Sequence, residues 1–261
     1  MSATIIEFDR VNKVFPGHHA VRDLSFGIRR GEIVSIVGVT GCGKSTTFNL
    51  ILGLFPPTDG TVRVQDHDPH SEFDWFRRRI AVVFQDARLL PWRTALQNVK
   101  VGMKFAGIPK EHWDARARDW LSRLGLAGRE DAYPHQLSGG QRQRVSLARA
   151  FAVDPEIILC DESFSALDEI TATALRAEFV ELVRANGKTG VVITHSLGEA
   201  LTLGERILVM RPPGHLADDV AVPADPSPEE LETLRERVLT AMTPEAPDSP
   251  GPVENTQKGA V

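Results

Sequence analysis

The sequence predicts an α/β protein: a mixed, largely parallel sheet covered by helices, with an antiparallel β subdomain at the N-terminal side and an α-helical subdomain inserted in the middle. Three observations carry this reading. From "EIILCDE" onward, short apolar runs alternate with helical segments, the pattern of parallel strands buried on both faces. Ahead of them, strand-like runs follow one another with glycine and proline turns between. Between the two, over about residues 94–150, the apolar periodicity is helical.

Each element follows in order. "TIIEFDRVNKVF" reads as a strand, "PGHHAV" as the turn after it, then "LSFGI" and "RRGEIVSIVG" as strands, with Gly17 and Gly31 at turns. "STTFNLILGL" is a helix. "PPTDGTVRV" places a tight turn at Asp59 and Gly60 before the alternating strand "TVRV". "RRIAVVFQ", 78–85, is a buried strand. In the helical block, "KEHWDARARDWLSRLGL" puts Trp113, Ala117, Trp120, Leu121 and Leu124 on one face. Then come the strand "EIILCDE", a helix "DEITATALRAEFVELVRAN" ended by Gly187, the strand "TGVVITHS", a helix "LGEALTLG" and "RILVM" as the final strand. Past Pro223, "PSPEELETLRERVLTAM" is a helix capped by Ser227, with Pro228 at its first position and Glu230 closing a capping box. Its stripe is Leu231, Leu234, Val238 and Leu239. The last stretch, "TPEAPDSPGPVENTQKGAV", lacks large hydrophobic residues and reads as disordered. The expected organisation is one domain over residues 1–222 with its helical subdomain at about 86–155, a C-terminal helix at 223–243 and a tail at 244–261.

Composition narrows the function classes. A net charge of −5 and a pI of about 5.9 weigh against a broad nucleic-acid-binding face, so no nucleic-acid partner is expected. The two cysteines, Cys42 and Cys160, lie far apart and build neither a disulfide framework nor a zinc pattern, which fits a reducing cytoplasm. "MSATIIEFDRVNKVF" has no signal-peptide pattern, and no window approaches the roughly 18 apolar residues of a membrane span. Direct membrane insertion is therefore not expected; work at a membrane would need a partner to hold the chain there.

The segment "IVGVTGCGKSTTFNL" carries the chemistry. Gly38, Gly43, Lys44 and Ser45 fit G-x-x-x-x-G-K-[ST], between an apolar strand and a helix, as a phosphate-cradling P-loop requires. Amides from Gly38 through Gly41, Cys42 and Gly43 to Ser45 would face one cavity, and the helix end adds about half a positive charge. Lys44 would reach the β- and γ-phosphates, Ser45 would ligate Mg²⁺, and Thr46 would add a phosphate contact. This makes the sheet the core of a P-loop NTPase. Asp161 and Glu162 end another buried strand, where open α/β sheets bind ligands; Asp161 would hold Mg²⁺ through water and Glu162 would activate the attacking water. In "HQLSGGQRQRVSLARAFAVDP", Ser138, Gly139 and Gly140 precede a second helix and either form a second anion site or cap the helix and let it pack tightly.

With "LSGGQRQR" beside the P-loop, the sequence resembles the ATP-binding-cassette ATPases over about residues 4–215. The resemblance implies that ATP and Mg²⁺ are bound, and that two copies pair head to tail. Ser138, Gly139, Gly140 and Gln141 of one copy would then face the γ-phosphate on the other's P-loop. It implies further roles: Gln85 senses Mg²⁺ and γ-phosphate, "SALD" crosses the dimer interface with Asp168 as its acid, His195 contacts γ-phosphate and Phe15 stacks on adenine. Lys44, Gln85, Glu162 and His195 would be the catalytic set, and Ser45, Gln85 and Asp161 the metal set. Three positions depart from the family pattern: Ser163 stands where proline is usual, Ser196 where aspartate is frequent and Cys160 where a larger aliphatic is usual. None removes a group that performs chemistry.

"FQDARLLPW" is similar to cassettes of bacterial importers for nitrate, alkanesulfonates, taurine and related small anions. Leu89, Leu90 and Trp92 would then form a groove for a permease segment, on the cytoplasmic face of the inner membrane, with a solute-binding protein as an indirect partner. The alternative is a soluble cassette ATPase in DNA repair or at the ribosome. Such proteins usually have a long coiled-coil insertion or two cassettes in one chain, and the sequence has neither. A small-metabolite P-loop kinase leaves "LSGGQRQR" unexplained. "QDHDPHSEFD" gathers His67, His70 and acids but reads as a solvated loop, not a metal site. Deleting everything after Thr243 is expected to leave ATP hydrolysis unchanged, measured as phosphate release; abolished turnover would assign the tail a role.

Overall fold

The computed structural model describes residues 3–243; the tail read from sequence as disordered lies outside them. The described strands form two sheets. β1 (Thr4–Phe15) lies between β2 (His18–Arg29) and β4 (Asp59–Val64), antiparallel to both. Alternation sends Ile6, Phe8 and Val11 to the same core as Leu24, Phe26 and Ile28, and the Phe8 and Phe26 rings stack at 4.5 Å.

The larger sheet runs in the order β5-β6-β7-β3-β8-β9. Its strands are β3 (Ile33–Gly38), β5 (Ile80–Phe84), β6 (Ile157–Asp161), β7 (Thr189–Ile193), β8 (Arg206–Arg211) and β9 (His215–Ala221). All neighbours are parallel except β8 and β9. β3 and β7 are buried from end to end, and β6 up to its last residue, which explains their unbroken apolar runs. The pairing has one consequence for function. Phe84 sits opposite Asp161, Asp161 opposite Ile193, and Ile193 opposite Ile36, so the carboxyl ends of β5, β6 and β7 lie level while β3 runs two residues further, to Gly38.

Helices fill the connections. α1 (Lys44–Ile51) follows β3, and the short α2 (Phe73–Phe76) precedes β5. α3 (Ala95–Phe105), α4 (Trp113–Arg123) and α5 (Gly139–Phe151) pack on one another through Met103, Ala117, Trp120, Leu121, Leu147 and Phe151. α6 (Glu169–Ala185) joins β6 to β7, and α7 (Leu197–Leu203) joins β7 to β8. α8 (Pro228–Met242) has the capping box of Ser227 and Glu230 and lies on α7, β8 and β9.

Four local expectations are corrected. β2 begins at His18, so only Pro16 and Gly17 of "PGHHAV" make the turn. Asp59 and Gly60 lie inside β4, at the register shift opposite Asn12, because β1 bulges there instead of ending. "RILVM" is followed by a further strand, β9, which is polar because it forms the sheet edge; Arg206 on β8 binds Asp219 on β9 through both guanidinium arms. Leu239 is 47% exposed, so α8 docks through Leu234, Val238 and Met242.

The seat of α8 is also held by Arg237, which donates to both carboxylate oxygens of Asp218 at 2.8 Å. These bonds hold the Asp218 carboxyl below its ordinary value. A carboxyl depressed by folding contributes stability that is present above its unfolded pKa and lost as pH falls through the folded one. Carboxyl NMR titration is expected to place Asp218 below the ordinary aspartate range, and Arg237→Ala to return it there; no change in Arg237→Ala would remove the pair from the seat of α8.

Candidate active site

The loop between β3 and α1 is built by close backbone approach. A β-carbon on Gly38 would lie 2.3 Å from the Met210 carbonyl oxygen. One on Gly43 would lie 2.6 Å from the Ala20 carbonyl oxygen and 3.0 Å from the Gly214 Cα, and Gly43 has φ +96°. Only glycine fits either position. Gly43 is also the N-cap of α1 and supplies no side-chain cap, so the helix's first amides keep their hydrogen-bonding capacity. Lys44 is 8% exposed; its ammonium donates to the carbonyls of Gly38 at 2.6 Å and Val39 at 3.1 Å. Burial pushes the Cys42 thiol up, opposed by the neighbouring ammonium. Ser45 is exposed and Thr46 half-buried. A buried cation, uncapped amides and a space no β-carbon can share suit a chain of phosphates.

The level strand ends bring the other expected residues to this edge of the sheet. Gln85 follows β5, Asp161 ends β6, Glu162 follows it, and His195 lies two residues past β7. Burial raises the Asp161 carboxyl, as does Glu162 beside it, while Arg88 and Lys44 draw it down. Glu162 adopts φ +47°, a strained conformation for a residue with a side chain. Its amide donates to the Ile193 carbonyl at 2.9 Å, and the Ser165 hydroxyl donates to its carbonyl at 2.8 Å. This backbone sets the carboxylate, whose Oε1 is 3.1 Å from His195 Nδ1. The oxygens of Ser45, Gln85 and Asp161 are the hard donors that Mg²⁺ takes.

Several supporting residues were not singled out in the sequence; Gln143 and Arg149 act on backbone carbonyls far away in the chain, and Asn98 on the loop just before it. Gln143 donates to Phe84 O at 3.0 Å, and Arg149 reaches Ala87 O at 2.7 Å and Arg88 O at 2.9 Å, so α5 holds the segment containing Gln85. Asn98, fully buried, binds Leu90, Arg93 and Thr94 backbone groups and shapes the rest of that loop. The departures from the family pattern find physical uses here. The buried Ser163 hydroxyl donates to Val83 O at 2.7 Å. Ser196 caps α7 by accepting from the Glu199 amide at 3.3 Å. Cys160 is completely buried, and burial pushes its thiol up.

Ser138 and Gly139 are exposed at the start of α5, where Ser138 and Gln141 close a capping box. A β-carbon on Gly140 would lie 2.6 Å from Thr171 Cγ2. A cleft of about 300 Å³ beside this loop is lined by Gln85, Gly139, Arg142 and Leu167, with no P-loop residue in its wall. Asp168 caps α6, accepting from the Thr171 amide at 3.0 Å, which holds its carboxyl below the ordinary range. Phe15 is half-buried, edge-on to Phe55 at 5.4 Å, with the Lys13 ammonium 5.1 Å from its ring centre. Leu89 and Leu90 are half-buried, whereas Trp92 is 70% exposed.

"QDHDPHSEFD" is more ordered than a solvated loop: His67 stacks on Trp75 at 3.8 Å, and His70 Nδ1 contacts Gly53 O at 2.9 Å. Among the described residues no group of three or more His, Cys, Asp or Glu side chains is placed to hold a metal, and no helix is long and apolar enough to cross a membrane.

Comparison with known proteins places the chain. The ABC transporter family model matches residues 21–165. Methionine import ATP-binding protein MetN 2 of Enterococcus faecalis is 40% identical over 79% of the chain, which spans 62% of that protein's length. Aliphatic sulfonates import ATP-binding protein SsuB 2 of Agrobacterium fabrum is 43% identical over 76% of the chain and 73% of its own length. The ATP-binding cassette MJ0796, solved as a dimer in a post-hydrolysis state bound to ADP and Pi, aligns with a TM-score of 0.72 at 34% identity, over 84% of this chain and 100% of that one. The P-loop, the level strand ends and these relatives agree: the chain belongs to the ABC transporter family, as one of its ATPase cassettes.

Proposed function

We propose that this chain is the ATP-hydrolysing subunit of a bacterial importer for a small anion of the nitrate, sulfonate or taurine kind. In this reading two copies pair head to tail beneath a membrane permease, on the cytoplasmic face of the inner membrane, and a solute-binding protein delivers the solute. The observation that carries it is the level row of strand ends: Gln85, Asp161, Glu162 and His195 follow adjacent strands beside the Lys44 loop.

The roles follow from chemistry. Backbone amides from Gly38 to Thr46 hold the phosphates, and the Lys44 ammonium exchanges its carbonyl partners for the β- and γ-phosphate oxygens. Ser45, Gln85 and Asp161 would hold Mg²⁺, which when bound would supply positive charge against the phosphates. Glu162 takes a proton from the attacking water, and His195, within hydrogen-bonding distance of it, orients the carboxylate and meets the γ-phosphate. Phe15 stacks on adenine. The wall of the cleft beside Gly139 holds no P-loop residue, which supports a site completed by Ser138, Gly139, Gly140 and Gln141 of a second copy. Asp168 lies at that interface. ATP favours closure because it touches both copies only in the closed pair.

Trp92, exposed beside the half-buried Leu89 and Leu90, supports the permease groove. Kinship with the sulfonate import protein, together with "FQDARLLPW", supports the solute class. Kinship with the methionine import protein favours a second reading, an amino-acid importer with the same cassette chemistry.

Glu162→Gln is expected to keep ATP binding and to lower turnover about a hundredfold or more, the loss of a general base, while ATP-bound dimers accumulate on size exclusion. Unchanged turnover would remove Glu162 from this role. In vesicles carrying the neighbouring permease and binding protein, an alkanesulfonate should stimulate hydrolysis; stimulation by methionine alone would select the second reading.

A further inference from the structure

Two oppositely charged side chains of this core each carry a buried, unpartnered atom, and the roles assigned above use neither. Arg176 lies two turns into α6, the helix capped by Asp168. Its side chain is 10% exposed; one terminal nitrogen binds Glu169 Oε1 at 2.5 Å and Thr173 Oγ1 at 2.9 Å, and its Nε is buried without a partner. Glu199 lies on α7, four residues past His195, and is 1% exposed. The Thr194 hydroxyl donates to its Oε2, while its Oε1 is buried without a partner.

α6 and α7 pack against each other. Burial pushes the Glu199 carboxyl up, against the Thr194 hydroxyl's bond and the charge on Arg176, which draw it down. A buried donor on a cation and a buried acceptor on a carboxylate are complementary, and each alone is costly. The present partner of Arg176, Glu169, is 83% exposed, so water screens that bond and its loss costs little. Glu199, by contrast, is joined to the catalytic edge: the Thr194 hydroxyl that donates to it also accepts the Ser196 amide at 3.0 Å, on the far side of His195.

We propose that Arg176 and Glu199 are paired positioning residues: across the α6–α7 contact the guanidinium steadies the Glu199 side chain, and Glu199, through Thr194, sets the turn that aims His195 at Glu162. This rests on the reading of His195 and Glu162 given above. It also gives the Asp168 loop a way to act on the histidine, since one helix carries both Asp168 and Arg176.

The test is a double-mutant cycle in the full chain with Arg176→Met, Glu199→Gln and both together. Each single change should lower kcat about tenfold with the KM for ATP within about twofold, and the double should be no slower than the slower single. Arg176→Lys should recover most of the rate. Losses that multiply in the double variant, or a KM that rises in step with the fall in kcat, would overturn the pairing. The His195 imidazole resonance, identified by its disappearance in His195→Gln, should shift in both single variants. A resonance that stays in place in either would overturn the pairing even where the rate falls, because a merely structural role lowers the thermal midpoint without re-aiming the ring. The imidazole readout needs no turnover, so a null result for Glu162→Gln would remove the water-activating role and leave this test standing.

Discussion

The candidate active site depends on one contact between backbones. The loop after β3 is pressed against the Ala20 carbonyl of β2 and the turn between β8 and β9, closely enough that Gly43 has no room for a single added carbon. The same turn is tied to β2 by the Arg22 amide, which donates to Gly214 O at 3.2 Å. Two hairpins from different sheets thus fix where α1 starts, and the start of α1 fixes where Lys44 points. Interiors packed at crystal-like density transmit such constraints instead of absorbing them.

Around this fixed point the other groups are placed by strand register and not by local sequence. Parallel neighbours β5, β6 and β7 end together and β3 runs two residues further, so residues far apart in the chain arrive a few strand spacings of about 4.8 Å apart. The backbone just past those ends needs partners that the ladder no longer supplies. Gln143, Arg149 and Ser163 bind carbonyls at and beside the end of β5, all from outside that strand, and Ser196 caps α7 past the end of β7. The edge thus combines backbone held in place by these side chains with the uncapped amides at the start of α1, which is the preorganisation that charge stabilisation requires.

What the sequence made legible and what it hid divide along physical lines. Buried parallel strands announce themselves, since β3, β6 and β7 have no polar face to interrupt their apolar runs. The edge strand β9 hid because "HLADDVA" is half-exposed and holds its place through Arg206 and Asp219, a long-range pair without periodicity. Gly60 misled because the same residue type serves a turn and a bulge, and only the partner strand distinguishes them. In the site, Gly38, Gly43, Lys44 and Ser45 stood out because their mechanism demands a contiguous pattern. Arg149 did not, because a side chain bonded to a distant carbonyl leaves no trace in spacing. Glu199 looked like an ordinary helical glutamate until its burial was visible.

The clasp of the Lys44 ammonium on the Gly38 and Val39 carbonyls makes the loop its own competitor. An arriving anion does not meet a bare cation; it must outbid two oxygens already seated within hydrogen-bonding range. A lone chloride or a weakly charged ester offers too little to dislodge them, whereas adjacent phosphates present dense charge to both the ammonium and the amides at once. In the role proposed for this loop, that clasp sets a threshold which a polyphosphate passes more readily than a simple anion.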